Sequence, residues 1–289
     1  MLGQAMVRLL GSAAVSLTYA QLDISDWHAV AEALDRARPK MIINCAAATD
    51  VDRCEADHAY ADAANSHGPG ILARASVARG IGLVHVSTDF VFDGAKDAPY
   101  SEEDRPNPLN YYGQSKLRGE QAVLAAAPGL PRALIVRTSW AFGSVGPVGT
   151  NFASKVLKWA KDSGKLRIAG DLWGSPTYAP FLAQGIADLL SAGAEGVYHL
   201  AGDGCTSRLE FAREVTSVAD LDVDIEAAAA SEFPTPALRP QRSCLDCSRA
   251  AALGVRLPPW QEGVRRYVDE LLGRGQGIPT IGTPTQAGC

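Results

Sequence analysis

Apolar positions along the chain follow two rhythms, and their order predicts the fold. The opening Met1-Leu2-Gly3-Gln4-Ala5-Met6-Val7-Arg8-Leu9-Leu10 has helical apolar spacing, and residues 14–18 read as a strand. Asp23-Ile24-Ser25-Asp26 opens a helix to about Arg38 with Ser25 or Asp26 as its cap, and residues 40–45 form the next buried strand. A long helical region from about Asp57 to Arg79 leads to the apolar run 81–86, which ends in the small hydroxyl residues Ser87 and Thr88. Asn110 caps a helix over 112–127 rich in Ala, Leu, Glu and Gln, and residues 133–138 repeat the strand-then-hydroxyl pattern, ending at Ser139-Trp140. Alternating strands and helices with near-continuous apolar strands predict an α/β fold built on a doubly wound parallel sheet.

After residue 140 the regularity fades. Helices are expected near 151–162, 178–190, 208–219 and 260–272, with short strands at 166–169 and 196–200. The expected division is a first domain over 1–140, a smaller α/β region over 141–272 interleaved with it, and a loose tail over 273–289, rich in Gly, Pro and Thr without apolar periodicity.

Bulk composition narrows the function classes. With 47% hydrophobic and 20% charged positions in 289 residues, the chain is of globular type. A net charge of -5 supplies no basic field for nucleic acid, and the short apolar start is neither a membrane span nor a cleavable leader, so the cytoplasm is expected. Six scattered cysteines argue against a secreted disulfide framework. The single Cys244-Leu245-Asp246-Cys247 lacks the further ligands a zinc site needs.

Candidate chemistry gathers where the strand 81–86 opens. Tyr112 and Lys116 are four residues apart on one helix, so their side chains share a face. A phenol with a pKa of about 10 is a poor acid, and a nearby ammonium is expected to lower that value. Tyr-x-x-x-Lys is common on exposed helices, but here it follows the Ser87-Thr88-Asp89 strand end by two dozen residues.

That combination resembles the active site of the extended short-chain dehydrogenase/reductase superfamily, and within it the dTDP-4-dehydrorhamnose reductase family. The likeness rests on Ser87-Thr88-Asp89-Phe90-Val91-Phe92-Asp93-Gly94, on Pro108-Leu109-Asn110-Tyr111-Tyr112-Gly113-Gln114-Ser115-Lys116 and on Arg137-Thr138-Ser139-Trp140. It implies a Rossmann-like first domain and reduction of a keto group on a dTDP-linked 6-deoxysugar by NADPH or NADH. Tyr112 would then be the proton donor, Lys116 its partner and a holder of the nicotinamide ribose, and Thr88 the hydroxyl that meets the carbonyl. The resemblance places Gly3, Asp23, Ile24, Ala46, Ala47, Tyr112 and Lys116 along the cofactor, and Thr49, Val51, Asp89, Trp140 and Arg239 along the substrate. Arg239 and Arg242 suit a diphosphate, because a guanidinium fork matches phosphate oxygens.

Departures from the family pattern carry expectations of their own. Related dehydratases have Glu after the Thr-Asp pair; Phe90 stands there and cannot move a proton, which argues against dehydration. The reductases usually have Tyr at that position. The family's pyrophosphate turn commonly ends Gly-Met-Leu-Gly, and the chain opens at Met1-Leu2-Gly3, so the expectation is a start upstream that supplies a first strand and two more glycines. Residues 18–21 offer neither an acid for a ribose hydroxyl nor an arginine for a phosphate, which leaves NADPH and NADH both open. Glu270 matches one magnesium ligand of some relatives but Ala5 replaces another, so no metal is expected. A homodimer is compatible with the resemblance. The rival readings are a non-catalytic binding protein like the regulatory subunit of methionine adenosyltransferase, and another sugar-nucleotide epimerase or reductase of the extended type.

Overall fold

In the computed structural model, residues 1–144 and 151–274 are described. Chain order is α1 (Leu2–Leu10), α2 (Trp27–Ala37), β1 (Met41–Asn44), α3 (Val51–Ala56), α4 (His58–Asp62), a π-helical turn (Ala63–His67), α5 (Gly68–Val77), β2 (Gly82–Thr88), α6 (Tyr111–Ala126), β3 (Ala133–Thr138) and β4 (Ala141–Phe142). There follow α7 (Phe152–Ser163), β5 (Lys165–Ala169), β6 (Trp173–Gly174), β7 (Thr177–Tyr178), α8 (Ala179–Ser191), β8 (Gly196–His199), β9 (Thr206–Ser207), α9 (Arg208–Val218), β10 (Asp224–Ala228), α10 (Ser248–Ala252) and α11 (Trp260–Leu272).

Local chemistry starts these helices where the sequence places them. Asp26 accepts from the amides of His28 and Ala29 at the head of α2, and Asn110 accepts from Gly113 N at 2.8 Å at the head of α6. Four parallel strands then assemble in the order β1-β2-β3-β8, with Thr88 level with Thr138 at the carboxyl ends of β2 and β3. One face of the sheet is covered by α1 and α8 through Met6, Leu182, Ile186 and Leu189, the other by α2, α5 and α6 through Val30, Leu72 and Val123. A second core, of Phe142, Val156, Phe211, Val264 and Tyr267, unites α7, α9 and α11 beside the paired strands β5 and β10. Because β8 returns to the first sheet, the later part of the chain contributes to both cores.

Residues 14–18 are not a strand. A parallel strand exists through its neighbour's hydrogen-bond ladder, and no described strand lies beside this segment; Val15 is 71% exposed and Tyr19 82%. The sequence also conceals β4, β6, β7, β9 and β10, because paired pieces of two to five residues carry no periodicity of their own. The expected tail lies outside the described residues from 275 onward.

Under the sheet mouth, Glu120 on α6 and Arg137 on β3 form a bidentate pair at 2.9 and 2.7 Å, with side chains 1% and 5% exposed. Arg137 also meets His199 Nε2 at 3.4 Å, and burial together with that cation pushes the His199 imidazole down to about 3. A neutral His199 is thereby compatible with a buried guanidinium beside it.

Helix α6 approaches the π-helical turn so closely that a Cβ added at Gly119 would stand 2.1 Å from the Asn65 carbonyl oxygen. Backbone cannot yield as a flexible side chain does. Gly119→Ala is expected to lower stability by about 1–3 kcal/mol, read as a shift in the urea midpoint; an unchanged midpoint would show that the two segments are free to separate.

Candidate active site

The carboxyl ends of β2 and β3 meet the first turns of α6, and a buried carboxylate organises what lies between. Asp89 is 2% exposed. Its Oδ1 accepts from Thr88 Oγ1 at 3.1 Å, and its Oδ2 accepts from Ser139 Oγ at 2.9 Å and from Ser243 Oγ at 2.5 Å. Burial raises the Asp89 carboxyl to about 6, and the hydroxyls of Ser243, Ser139 and Thr88 work against that rise. The sequence expects Asp89 to touch a substrate; both its oxygens are instead spent on hydroxyls from three separate segments.

Thr88 sits at the centre of this arrangement. Its Oγ1 accepts from Phe90 N at 3.2 Å and donates to Asp89 at 3.1 Å, and the hydroxyl lies near enough to the Tyr112 phenol to act on its pKa. Phe90 meets the Tyr112 ring edge-on at 5.7 Å, so the aromatic side chain that replaces a proton carrier packs the phenol in place. Desolvation drives the Tyr112 pKa well above the ordinary phenol value; the Thr88 hydrogen bond opposes this and the Asp89 charge adds to it. The expected lowering by Lys116 is therefore not what acts on this phenol. Lys116 Nζ donates to Val86 O at 2.6 Å, and burial brings its own pKa down to about 8 while Glu120 opposes the fall.

Asn65, which the sequence reading missed, positions the catalytic helix against the loop after β1. Its amide donates to Ala48 O and to Ser115 Oγ, both at 3.0 Å, and its carbonyl accepts from Ala48 N at 2.9 Å. It lies in the π-helical turn, a feature that turns a side chain out of helical register. The only signal in the sequence was an isolated asparagine within an Ala-rich helical run.

The remaining expected residues scatter around this centre. Ala46 and Thr49 are exposed and Ala47 and Val51 half-buried on a loop whose turn is pinned by Asn44 Oδ1 accepting from Ala46 N at 3.1 Å. Asp23 accepts from Ser25 Oγ and N, which keeps its carboxyl below the usual value, and Ile24 packs over Gly68. Trp140 adopts a left-handed φ of 41° and lays its indole over Gly174, where an added Cβ would stand 2.4 Å from the ring. Arg239, expected along the substrate, holds Asp52 in its fork at 2.7 and 2.8 Å. Arg242 leans on Trp173 at 5.0 Å. A Cys205–Cys244 disulfide fixes the loop that carries Ser243.

A nicotinamide cofactor fits one end of this site better than the other. Ser87 Oγ and Thr138 Oγ1, at the strand ends beside Tyr112 and Lys116, are buried without a protein partner and suit the polar atoms of a ligand. At the pyrophosphate end, Gly3 stands in the first turn of α1 and a Cβ there would make only an ordinary 3.6 Å contact with Cys45.

The model of the RmlD substrate binding domain matches residues 1–272. This chain belongs to that family. A family member from Sinorhizobium fredii, a dTDP-4-dehydrorhamnose reductase, is 38% identical over 88% of this chain and 88% of its own length. The dTDP-4-dehydrorhamnose reductase of Mycobacterium tuberculosis is 40% identical over 83% of this chain and 79% of its own. Among solved structures, the dTDP-4-dehydrorhamnose reductase of Bacillus anthracis in complex with NADP superposes with a TM-score of 0.87 at 33% identity, covering 93% of this chain and 95% of that one. The RmlD family thus accounts for the fold and for nearly all of the described chain, and no helix among the described residues is long and apolar enough to cross a membrane.

The buried carboxyl makes a pH-dependent contribution to stability. Because the folded pKa of Asp89, about 6, lies above its reference value of 3.8, the folded state holds the proton more tightly. That contribution is fully present below the unfolded pKa and is lost as pH rises through about 6, an effect on the order of 3 kcal/mol. Urea unfolding of wild type and Asp89→Asn across this range should show the descending slope in wild type alone; parallel curves would place the titration elsewhere.

Proposed function

We propose that this chain reduces the 4-keto group of a dTDP-linked 6-deoxysugar, converting dTDP-4-dehydro-L-rhamnose into dTDP-L-rhamnose, a step of nucleotide-sugar and cell-surface polysaccharide synthesis. The observation that carries the reading is the buried Thr88–Asp89 pair beside the Tyr112 phenol, set on the family's scaffold with Lys116 one turn along α6. NADPH or NADH, when bound, supplies the hydride that the keto carbon receives. Lys116, Tyr112 and Ser87 are the side chains that would hold its nicotinamide end, with Gly3, Asp23, Ile24, Ala46 and Ala47 along its remaining length.

The protein's own part is to bring a proton and to stabilise charge on the keto oxygen. A phenol whose pKa is raised by burial is fully protonated at neutral pH, so Tyr112 has a proton to give as negative charge grows on that oxygen. Growing charge on the oxygen is what makes this transfer favourable in a site where free tyrosinate is not. Thr88 stands beside the phenol to hydrogen-bond the same oxygen, and Asp89 positions Thr88. With a pKa near 8, Lys116 is mostly protonated at neutral pH, and Val86 O accepts a hydrogen bond from its ammonium. Trp140 walls the sugar, and Thr49 and Val51 border it. Phe90 keeps a second proton carrier out of the pocket, consistent with reduction in place of dehydration.

Labour divides along the chain into a cofactor-binding part over 1–140 and a substrate-binding part over 141–272, acting in the cytoplasm on a dTDP-sugar, with a homodimer as the form to look for. Incubating purified chain with NADPH and dTDP-4-dehydro-L-rhamnose and following nicotinamide absorbance tests the reading. Cofactor oxidation is expected; none would favour a binding protein on the same scaffold. Tyr112→Phe should lower turnover by about 100- to 10,000-fold with cofactor affinity retained, whereas Lys116→Ala should weaken both. Wild-type rates in Tyr112→Phe would remove the assignment.

A further inference from the structure

One half-buried cation near the reacting groups has no acid among the described residues to answer it. Arg208, the first residue of α9, places its guanidinium carbon 4.7 Å from the ring of Trp140 and 4.7 Å from the ring of Phe152. Aromatic rings interact with the face of a guanidinium but accept none of its five N–H donors in the plane. Among the described residues no carboxylate or other side-chain acceptor pairs with it. Other buried or half-buried arginines nearby are answered: Arg137 by Glu120 and Arg239 by Asp52. A guanidinium stacked on two rings and unpaired in its own plane leaves its N–H fork open, and an anion arriving from outside would fill it.

The surroundings say where that anion would lie. Burial first, then the like charge of Arg239, bring the Arg208 pKa down to about 10, and Asp89 is the acid near enough to oppose the fall. Asp89 makes no ion pair with it, its oxygens accepting from three hydroxyls instead. Arg208 therefore borders the Thr88–Tyr112 centre on the side of Trp140, which follows directly on Ser139. The Trp140 wall is rigid, held by its left-handed backbone and by Gly174 beneath the indole. Arg208 N donates to Leu172 O at 2.9 Å and Ser207 caps α9, so the base of the arginine is fixed as well.

We propose that Arg208, and not Arg239, recognises the diphosphate of the nucleotide-linked sugar, its in-plane N–H fork pairing with phosphate oxygens while Trp140 and Phe152 hold the guanidinium in place. This rests on the reading that the substrate is a dTDP-sugar. A diphosphate supplies multiple acceptors and a negative charge for the fork of Arg208. Arg239 has a different task, clamping the loop over 235–239 onto α3 through Asp52.

Calorimetric titration of the full chain with dTDP and, by competition, with uncharged thymidine separates substrate recognition from a purely structural stack. R208Q should weaken dTDP binding by about 10- to 100-fold, the worth of a hydrogen-bonded charge pair, with thymidine affinity unchanged and cooperative unfolding retained. R208K keeps the charge without the planar fork and should fall between the two; it carries the test by the same criterion if R208Q does not fold. Equal loss for dTDP and thymidine, or unaltered dTDP affinity, would overturn the proposal. An active wild type whose variants bind dTDP unchanged would sink only the role of Arg208, whereas a wild type that neither oxidises NADPH nor binds dTDP would overturn the substrate reading along with it.

Discussion

Burying the carboxylate of Asp89 constrains this site more than any other interaction in it. A charged group taken out of water needs donors, and here they come from the end of β2, the end of β3 and the loop that the Cys205–Cys244 disulfide tethers. Three segments far apart in the chain are thereby pulled to one point. Thr88 is held in one orientation as a result, with the Tyr112 phenol against it, and the neighbouring Ser139 sets where Trp140 begins. The geometry of the reacting groups depends on satisfying that one acid.

The same rule runs through the rest of the interior. Glu120 and Arg137 answer each other beneath the sheet, and nearer the surface Asp52 answers Arg239. Lys116 is the mildest case, since burial brings it close to neutrality and a main-chain carbonyl takes its proton donor. Where the balance is left open among the described residues, at Arg208, the guanidinium lies against Trp140 and Phe152. A charge that the fold leaves unanswered beside the reacting groups is one that a ligand is able to complete.

Much of this was legible along the chain. The strands over 41–44, 82–88 and 133–138 announce themselves as apolar runs because a parallel sheet covered on both faces admits little else. Caps at Asp26 and Asn110 mark their helices through a hydrogen bond made within three residues, which needs no tertiary context. The segment 14–18 misled for the opposite reason: its apolar spacing is real, but a strand is completed by its neighbour and none is beside it. Asn65 went unseen because its importance lies in reaching Ala48 and Ser115 from a π-helical turn, which no spacing rule marks.

The sequence by itself determined the α/β class, the pairing of Tyr112 with Lys116 on one helix face and the hydroxyl at the end of the preceding strand, since each is set by local spacing or by the identity of the side chain. Only the tertiary structure decided what those groups do to one another. Burial, not the neighbouring ammonium, governs the Tyr112 phenol; Asp89 is buried among hydroxyls; and Arg239 is paired with Asp52 while Arg208 has no acidic partner among the described residues. Desolvation and ion pairing depend on what the whole fold brings within a few ångströms, and distance along the chain does not encode that.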